Sequence, residues 1–126
     1  MKNISKEDYL RIIYELSQKR EGGGVRSVEV ANNLMITKAS ASAMIRKLAG
    51  EGYVSFEPYS ALTLTGKGIE CGKKILRKHL IIEAFLKNVL GYRENEAHEQ
   101  AHDLEHAFND ESIKRLEQFL KKSNFL

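Results

Sequence analysis

The chain of 126 residues has a single cysteine, Cys71, and a single proline, Pro58. One cysteine excludes an internal disulfide and suits a reducing compartment. No apolar run approaches the roughly 20 residues that span a bilayer. No apolar N-terminal stretch has the form of a secretory signal, so a cytoplasmic location and no membrane partner are expected. Internal repeats and low-complexity segments are absent as well. What remains is 42% hydrophobic and 29% charged, an ordinary composition for one compact domain or two small lobes.

The formal net charge is only +3, but it is unevenly placed. Residues 1–78 hold 14 Lys/Arg against 8 Asp/Glu, whereas residues 79–126 hold 6 against 9. All four histidines (His79, His98, His102, His106) lie in the acidic part. One half suits a polyanion and the other a cation.

Periodicity predicts a mostly α chain. Ser5 and Asp8 form the start of a capping box before a first helix with Leu10, Ile13 and Leu16/Ser17 on one face and Asp8, Arg11 and Glu15 on another. Gly22–Gly24 ends it in a loose link. A short helix begins after Ser27 and buries Val30, Ala31 and Leu34. A break at about 35–37 leads to a second helix from Lys38 to about Ala49, with Ala41, Met44/Ile45 and Leu48 inward. Two short helices across a three-residue turn make a helix-turn-helix. The period then changes: Val54/Phe56 and Leu62/Leu64 alternate around a turn holding Pro58, a hairpin where a winged helix-turn-helix has its wing. A long helix from Thr65 to Leu90 buries Ile69, Ile75/Leu76, Ile82, Phe85/Leu86 and Val89, and Gly91 stops it. A helix over about 95–108 follows. Asn109-Asp110 caps a last one with Ile113, Leu116 and Phe119/Leu120 apolar. The expected boundary separates a DNA-binding domain (1–72) from an all-helical domain (73–126).

The second helix of the helix-turn-helix should enter the major groove by its N-terminal part. Its outward residues, Thr37, Lys38, Ala39, Ser40, Ser42 and Ala43, are mostly small, and its first two turns hold no Asn, Gln or Arg. Such a helix seats deep but makes few bidentate base contacts, so DNA shape and half-site spacing should carry much of the specificity. Arg26, Lys38, Arg46 and Lys47 are the candidate phosphate partners on a double-stranded DNA operator.

On a helix, His98, His102, Glu105 and His106 fall within a stripe about 100° wide. His79 and Glu83 share a face of the preceding long helix. Antiparallel packing would bring the two faces together as N/O clusters for one or two divalent metals. His98-Glu99-Gln100-Ala101-His102 also matches H-E-x-x-H, the zinc-protease motif. A zinc hydrolase needs a third ligand further along, however. His106 comes too soon, and the chain has no room for a substrate cleft beside a winged helix. An enzyme is therefore not expected. A winged-helix regulator answering to a small organic ligand, with incidental histidines, is the other alternative.

The combination of "EDYLRIIYEL", a winged helix ending in "LTLTGKG", "HLIIEAFL" and "HEQAHDLEHAF" resembles the diphtheria toxin repressor family of metal-dependent transcription regulators, with its iron-responsive and shorter manganese-responsive branches. The resemblance spans essentially the whole chain. It implies a homodimeric repressor of metal-homeostasis genes, with the helical domain serving metal binding and dimerisation, in a short form without the SH3-like domain of the longer iron repressors. It also implies a primary site of Asp8, His102, Glu105 and His106, and an ancillary site of His79, Glu83 and His98. Asp8 is like the manganese branch. His102 stands where the iron branch has Cys and the manganese branch Glu, and Arg11 stands where the manganese branch has a bridging Glu. An O/N set without sulfur suits Fe(II) or Mn(II) as co-repressor, while Zn(II) or Co(II) should bind at least as tightly in vitro. Below about pH 6, protons should compete for the histidines.

Overall fold

The computed structural model describes residues 4–56 and 60–126. Among them the elements run α1 (Lys6–Gln18), α2 (Ser27–Leu34), α3 (Lys38–Gly50), β1 (Val54–Ser55), β2 (Thr63–Leu64), α4 (Gly66–Asn88), α5 (Glu94–Glu105) and α6 (Asp110–Lys122). The chain forms two compact units, Met1–Ile75 and Leu76–Leu126, and α4 runs from one into the other. The turn expected around Pro58 lies outside the described residues.

In the first unit, α1 opens with the capping box that its sequence encodes. Ser5 N donates to Asp8 Oδ2 at 2.7 Å and Asp8 N donates to Ser5 Oγ at 3.3 Å. Tyr9, Leu10 and Ile13 join Val30, Ala31, Ala41, Ile45 and Leu48 in one core. The polar face of α1 is not a solvated one, because Asp8 and Arg11 are buried too. Helix α2 begins one residue before the expected place: Arg26 occupies the N-cap position, and its N–H is taken by Glu29 Oε1 at 3.2 Å. Met35 closes α2 with φ 57°, a left-handed backbone that β-carbon sterics disfavour, and this turns the chain into α3. Thr37 caps α3 by accepting from Ser40 N at 3.1 Å.

The hairpin pairs Val54 with Leu64 and Ser55 with Thr63. An addition to the expected wing is a bridge between Val25 and Leu62, whose N–H groups each donate to the other's carbonyl at 2.9 and 2.8 Å. That bridge anchors the chain immediately after Gly22–Gly24. Val25 is tied to the wing, Arg20 donates to Gly24 O at 3.2 Å, and α1 shares its core with α2 and α3.

Ile69, expected inside, is 44% exposed. Gly68 and Gly72 explain why. A β-carbon on Gly68 would overlap the Tyr53 carbonyl oxygen, and one on Gly72 would lie 2.8 Å from Tyr14 Cβ and 2.9 Å from Leu10 O. The buried stripe of α4 is therefore Gly68, Gly72, Ile75, His79, Ile82 and Leu86, with Ile69 turned off it. Its first two members carry no side chain to mark it.

In the second unit, α4 ends at Asn88, and Gly91 (φ 78°) lets Tyr92 N reach back to Leu86 O at 3.0 Å. Ile82 and Leu86 meet Ala97 and Ala101 of α5 in a second core, edged by Phe85, Leu104, Phe108, Ile113 and Leu116. Two alanines at i, i+4 let the α4 and α5 backbones approach closely. Helix α5 stops at Glu105 rather than 108, with His106 as its C-cap. Asn109 Oδ1 caps α6 by accepting from Ser112 N at 2.8 Å. Of the pair Phe119/Leu120, Leu120 is fully buried and Phe119 is 48% exposed, so only the leucine serves the core.

Candidate metal centre and nucleic-acid interface

The first unit presents a helix-turn-helix with a hairpin. Thr37, Lys38, Ala39, Ser40, Ala43, Arg46 and Lys47 are exposed on α3 or at its cap, Ser42 is half-buried, and Arg26 is exposed at the start of α2. Arg26, Lys38 and Ser42 line one open cleft together with Phe56, Ser60 and Ala61. The Thr37 and Ser40 hydroxyls are engaged with one another at 2.9 Å, so part of their polarity is spent on the helix cap. Cys71 edges the core of this unit. Burial, with Glu7 adding to it, raises its thiol above the usual value against Lys6, Lys74 and Lys67. Burial likewise raises the Tyr9 phenol.

In the second unit α4 and α5 run antiparallel: His79 meets Glu105 while Glu83, further along α4, meets His98, earlier on α5. This brings two clusters of cation ligands together within the unit. His79, Glu83 and His98 each offer an atom within 4.8 Å of the others. Nε2 of His79 lies 2.9 Å from Glu83 Oε2 and 3.2 Å from His98 Nδ1, and His98 Nδ1 is 3.4 Å from the same carboxylate oxygen. His102, Glu105 and His106 form the second cluster, again within 4.8 Å. Glu105 Oε1 lies 3.8 Å from His102 Nδ1 and 3.8 Å from His106 Nε2.

The residues fit a divalent cation. Glu105 is 2% exposed and its Oε1 has no hydrogen-bond partner among the described residues. A buried carboxylate oxygen without a partner is costly. Here it faces two imidazoles 3.8 Å away, within the limit of about 4.2 Å that two bonds of about 2.1 Å to a shared ion set. Fold and donors together define a class: a winged-helix DNA-binding module joined to a helical module with hard and borderline metal ligands.

The clusters also divide the H-E-x-x-H motif. His98 sides with His79 and Glu83, His102 sides with Glu105 and His106, and Glu99 is exposed. A zincin needs both histidines on one ion, so the match is an accident of helical spacing.

Comparison with known proteins agrees with this class. Residues 3–62 match the model of the iron-dependent repressor N-terminal DNA-binding domain, and residues 65–125 match that of the iron-dependent repressor metal-binding and dimerisation domain. An uncharacterised HTH-type transcriptional regulator of Methanocaldococcus jannaschii is 46% identical over 116 residues, 92% of each chain. The HTH-type transcriptional regulator MntR of Listeria welshimeri is 32% identical over 116 residues, 92% of this chain and 80% of that one. A manganese-dependent transcriptional repressor solved in complex with manganese superposes with a TM-score of 0.83 at 35% identity, over 93% of this chain and 53% of that one. The present chain thus spans about half the length of that solved protein. It belongs to the iron-dependent repressor family, whose members are metal-dependent, DNA-binding transcriptional repressors and not enzymes. No helix among the described residues is long and apolar enough to cross a membrane.

Proposed function

We propose that this chain is a cytoplasmic, homodimeric repressor of metal-homeostasis genes, in which Asp8, His102, Glu105 and His106 hold the activating Fe(II) or Mn(II), and His79, Glu83 and His98 hold an ancillary ion. The observation that carries this reading is Glu105 Oε1, buried without a hydrogen-bond partner between His102 and His106. When bound, the ion supplies positive charge and fixed geometry. Asp8 belongs to the helix that carries the core of the DNA-binding part, residues 1–72, and the three other ligands belong to residues 73–126. Ligands from both parts on one ion would hold the recognition helices in a fixed relation. In a dimer they would meet successive major grooves about 34 Å apart. A shift of the competent state from 1% to 99% needs about 5.5 kcal/mol of preference, within the reach of several new ligand bonds.

The exposed side chains of α3, with Arg26, would face the operator, the cations contacting phosphates and the small residues the groove floor. Dimerisation is supported by the apolar side chains that the second unit leaves exposed, Leu80, Leu90, Tyr92, Phe119 and Leu126. Arg11 is buried on α1 one turn after Asp8, with its Nη1 3.4 Å from Glu15. It is a cation and adds no ligand to the primary set.

The test is the affinity of the purified chain for the DNA upstream of its own gene, measured anaerobically with Fe(II), Mn(II), Zn(II) or no metal. The expected result is at least a hundredfold tightening by Fe(II) or Mn(II) that Asp8→Ala removes. Equal affinity with and without metal would leave a winged helix without this switch.

A further inference from the structure

Arg11 is a buried cation that the fold pairs poorly. It follows Asp8 by one turn of α1, and the two residues are 3% and 0% exposed. Its Nη1 meets Glu15 Oε1 at the long distance of 3.4 Å, and its Nε is buried without a hydrogen-bond partner among the described residues. A guanidinium has five N–H donors and no lone pair, and it carries a permanent charge. Burying such a group is costly, and a poorly paired one can often be replaced by an apolar side chain without loss of stability. Stability therefore does not account for Arg11. Nor can it ligate a metal ion, since it has no electron pair to give.

What Arg11 does supply is charge. On a helix, β-carbons three positions apart lie about 5–6 Å from one another. The charge of Arg11 is thus anchored one helical turn from a ligand of the proposed ion, in surroundings from which water is largely excluded. Glu15 has a side chain 32% exposed, so it is partly solvated and offsets that charge only in part. The energy between two charges scales with their product. It opposes a dication, and it opposes a trication half as strongly again. The ligands make no such distinction, because the hard carboxylate oxygens of Asp8 and Glu105 by themselves favour the higher charge.

We infer that Arg11 is a specificity-determining residue of the primary site: its fixed charge, buried one turn from Asp8, lowers the site's affinity for every metal cation and lowers it most for trivalent ones, so that the site answers to Fe(II) or Mn(II) and not to Fe(III). This rests on the assignment of Asp8 as a ligand made above. The site then distinguishes oxidation states by charge rather than by ligand type.

The effect is read without DNA, by equilibrium dialysis of the full chain against Mn(II) and against Ga(III), a redox-inert trivalent ion close in size to Fe(III). Each ion is buffered with nitrilotriacetate, and bound metal is counted by mass spectrometry. A His98→Ala background removes a ligand of the ancillary cluster, so that the primary site dominates the count. Arg11→Met removes the charge and keeps an unbranched apolar stem. At one helical turn the repulsion amounts to at least about tenfold for a dication, even when screened, and so to at least about thirtyfold for a trication. Arg11→Met should tighten Mn(II) binding by the first factor and Ga(III) binding by the second. Arg11→Gln should do the same, which separates loss of charge from any packing effect of methionine. The metal-free urea midpoint should not fall in either variant. A residue that merely held α1 in place would show a lower midpoint and weaker binding of both ions, and that result would overturn the inference. So would equal tightening of Mn(II) and Ga(III), or a loss of Mn(II) affinity in Asp8→Ala while both Arg11 variants stay within twofold of wild type. Mn(II) affinity unchanged by Asp8→Ala would instead overturn the ligand assignment, and this inference with it.

Discussion

Replacing His106 by alanine should abolish the metal-dependent part of DNA binding. At saturating Mn(II) the variant's affinity for the upstream duplex should fall by about a hundredfold, near 2.7 kcal/mol, to the metal-free level. The imidazole faces the buried Glu105 Oε1 at 3.8 Å, and its removal leaves two of the three ligands proposed for this unit. The residue sits at the C-cap of α5 with a side chain 33% exposed, outside both apolar cores. Loss of fold is therefore not the expected cause. Fluorescence anisotropy with and without Mn(II) reads the effect, and metal-free affinity equal to wild type completes the signature. A variant that still tightens on DNA a hundredfold with Mn(II) would remove His106 from the site.

Replacing Gly68 by alanine should destabilise the chain by about 2–3 kcal/mol, although alanine is the better helix former by about 1 kcal/mol. In α4 the added β-carbon would overlap the Tyr53 carbonyl oxygen and press on Leu64 Cδ2 at 3.0 Å. The loop at Tyr53 cannot easily yield. Thr65 Oγ1 donates to Gly52 O at 2.6 Å, Thr65 N donates to Tyr53 O at 3.1 Å, and Lys67 Nζ sits 4.3 Å from the Tyr53 ring centroid. Urea unfolding measures the loss through the midpoint at constant m. Gly66→Ala, where an added β-carbon meets nothing, is the control and should gain or hold stability. Equal stability of Gly68→Ala and wild type would mean that α4 does not seat on the wing through this residue.

Both expectations turn on residues that the sequence treats very differently. The grouping of His102, Glu105 and His106 was legible because residue type and helical spacing put them together without tertiary information. The capping box at Ser5 and the cap at Asn109 were legible for the same local reason. Gly68 and Gly72 were not, because a seam made of missing side chains has no hydrophobic period. Periodicity accordingly places Ile69 in the core, whereas it lies beside the seam. The Val25–Leu62 bridge leaves no sequence signal, since a single pair of residues has no alternation to display. The double engagement of His79 was hidden for another reason. Spacing assigns a side chain to a face, but which neighbour each ring nitrogen meets depends on the rotamer and on the partner helix.

The central claim is that metal and DNA are coupled through one chain, and reciprocity offers its most direct test. Calorimetric titration of Mn(II) into the free chain and into the chain already placed on the upstream duplex yields two metal affinities. The account predicts that DNA tightens Mn(II) binding by the same factor, a hundredfold or more, by which Mn(II) tightens DNA binding. Identical Mn(II) affinity in the two titrations would contradict it.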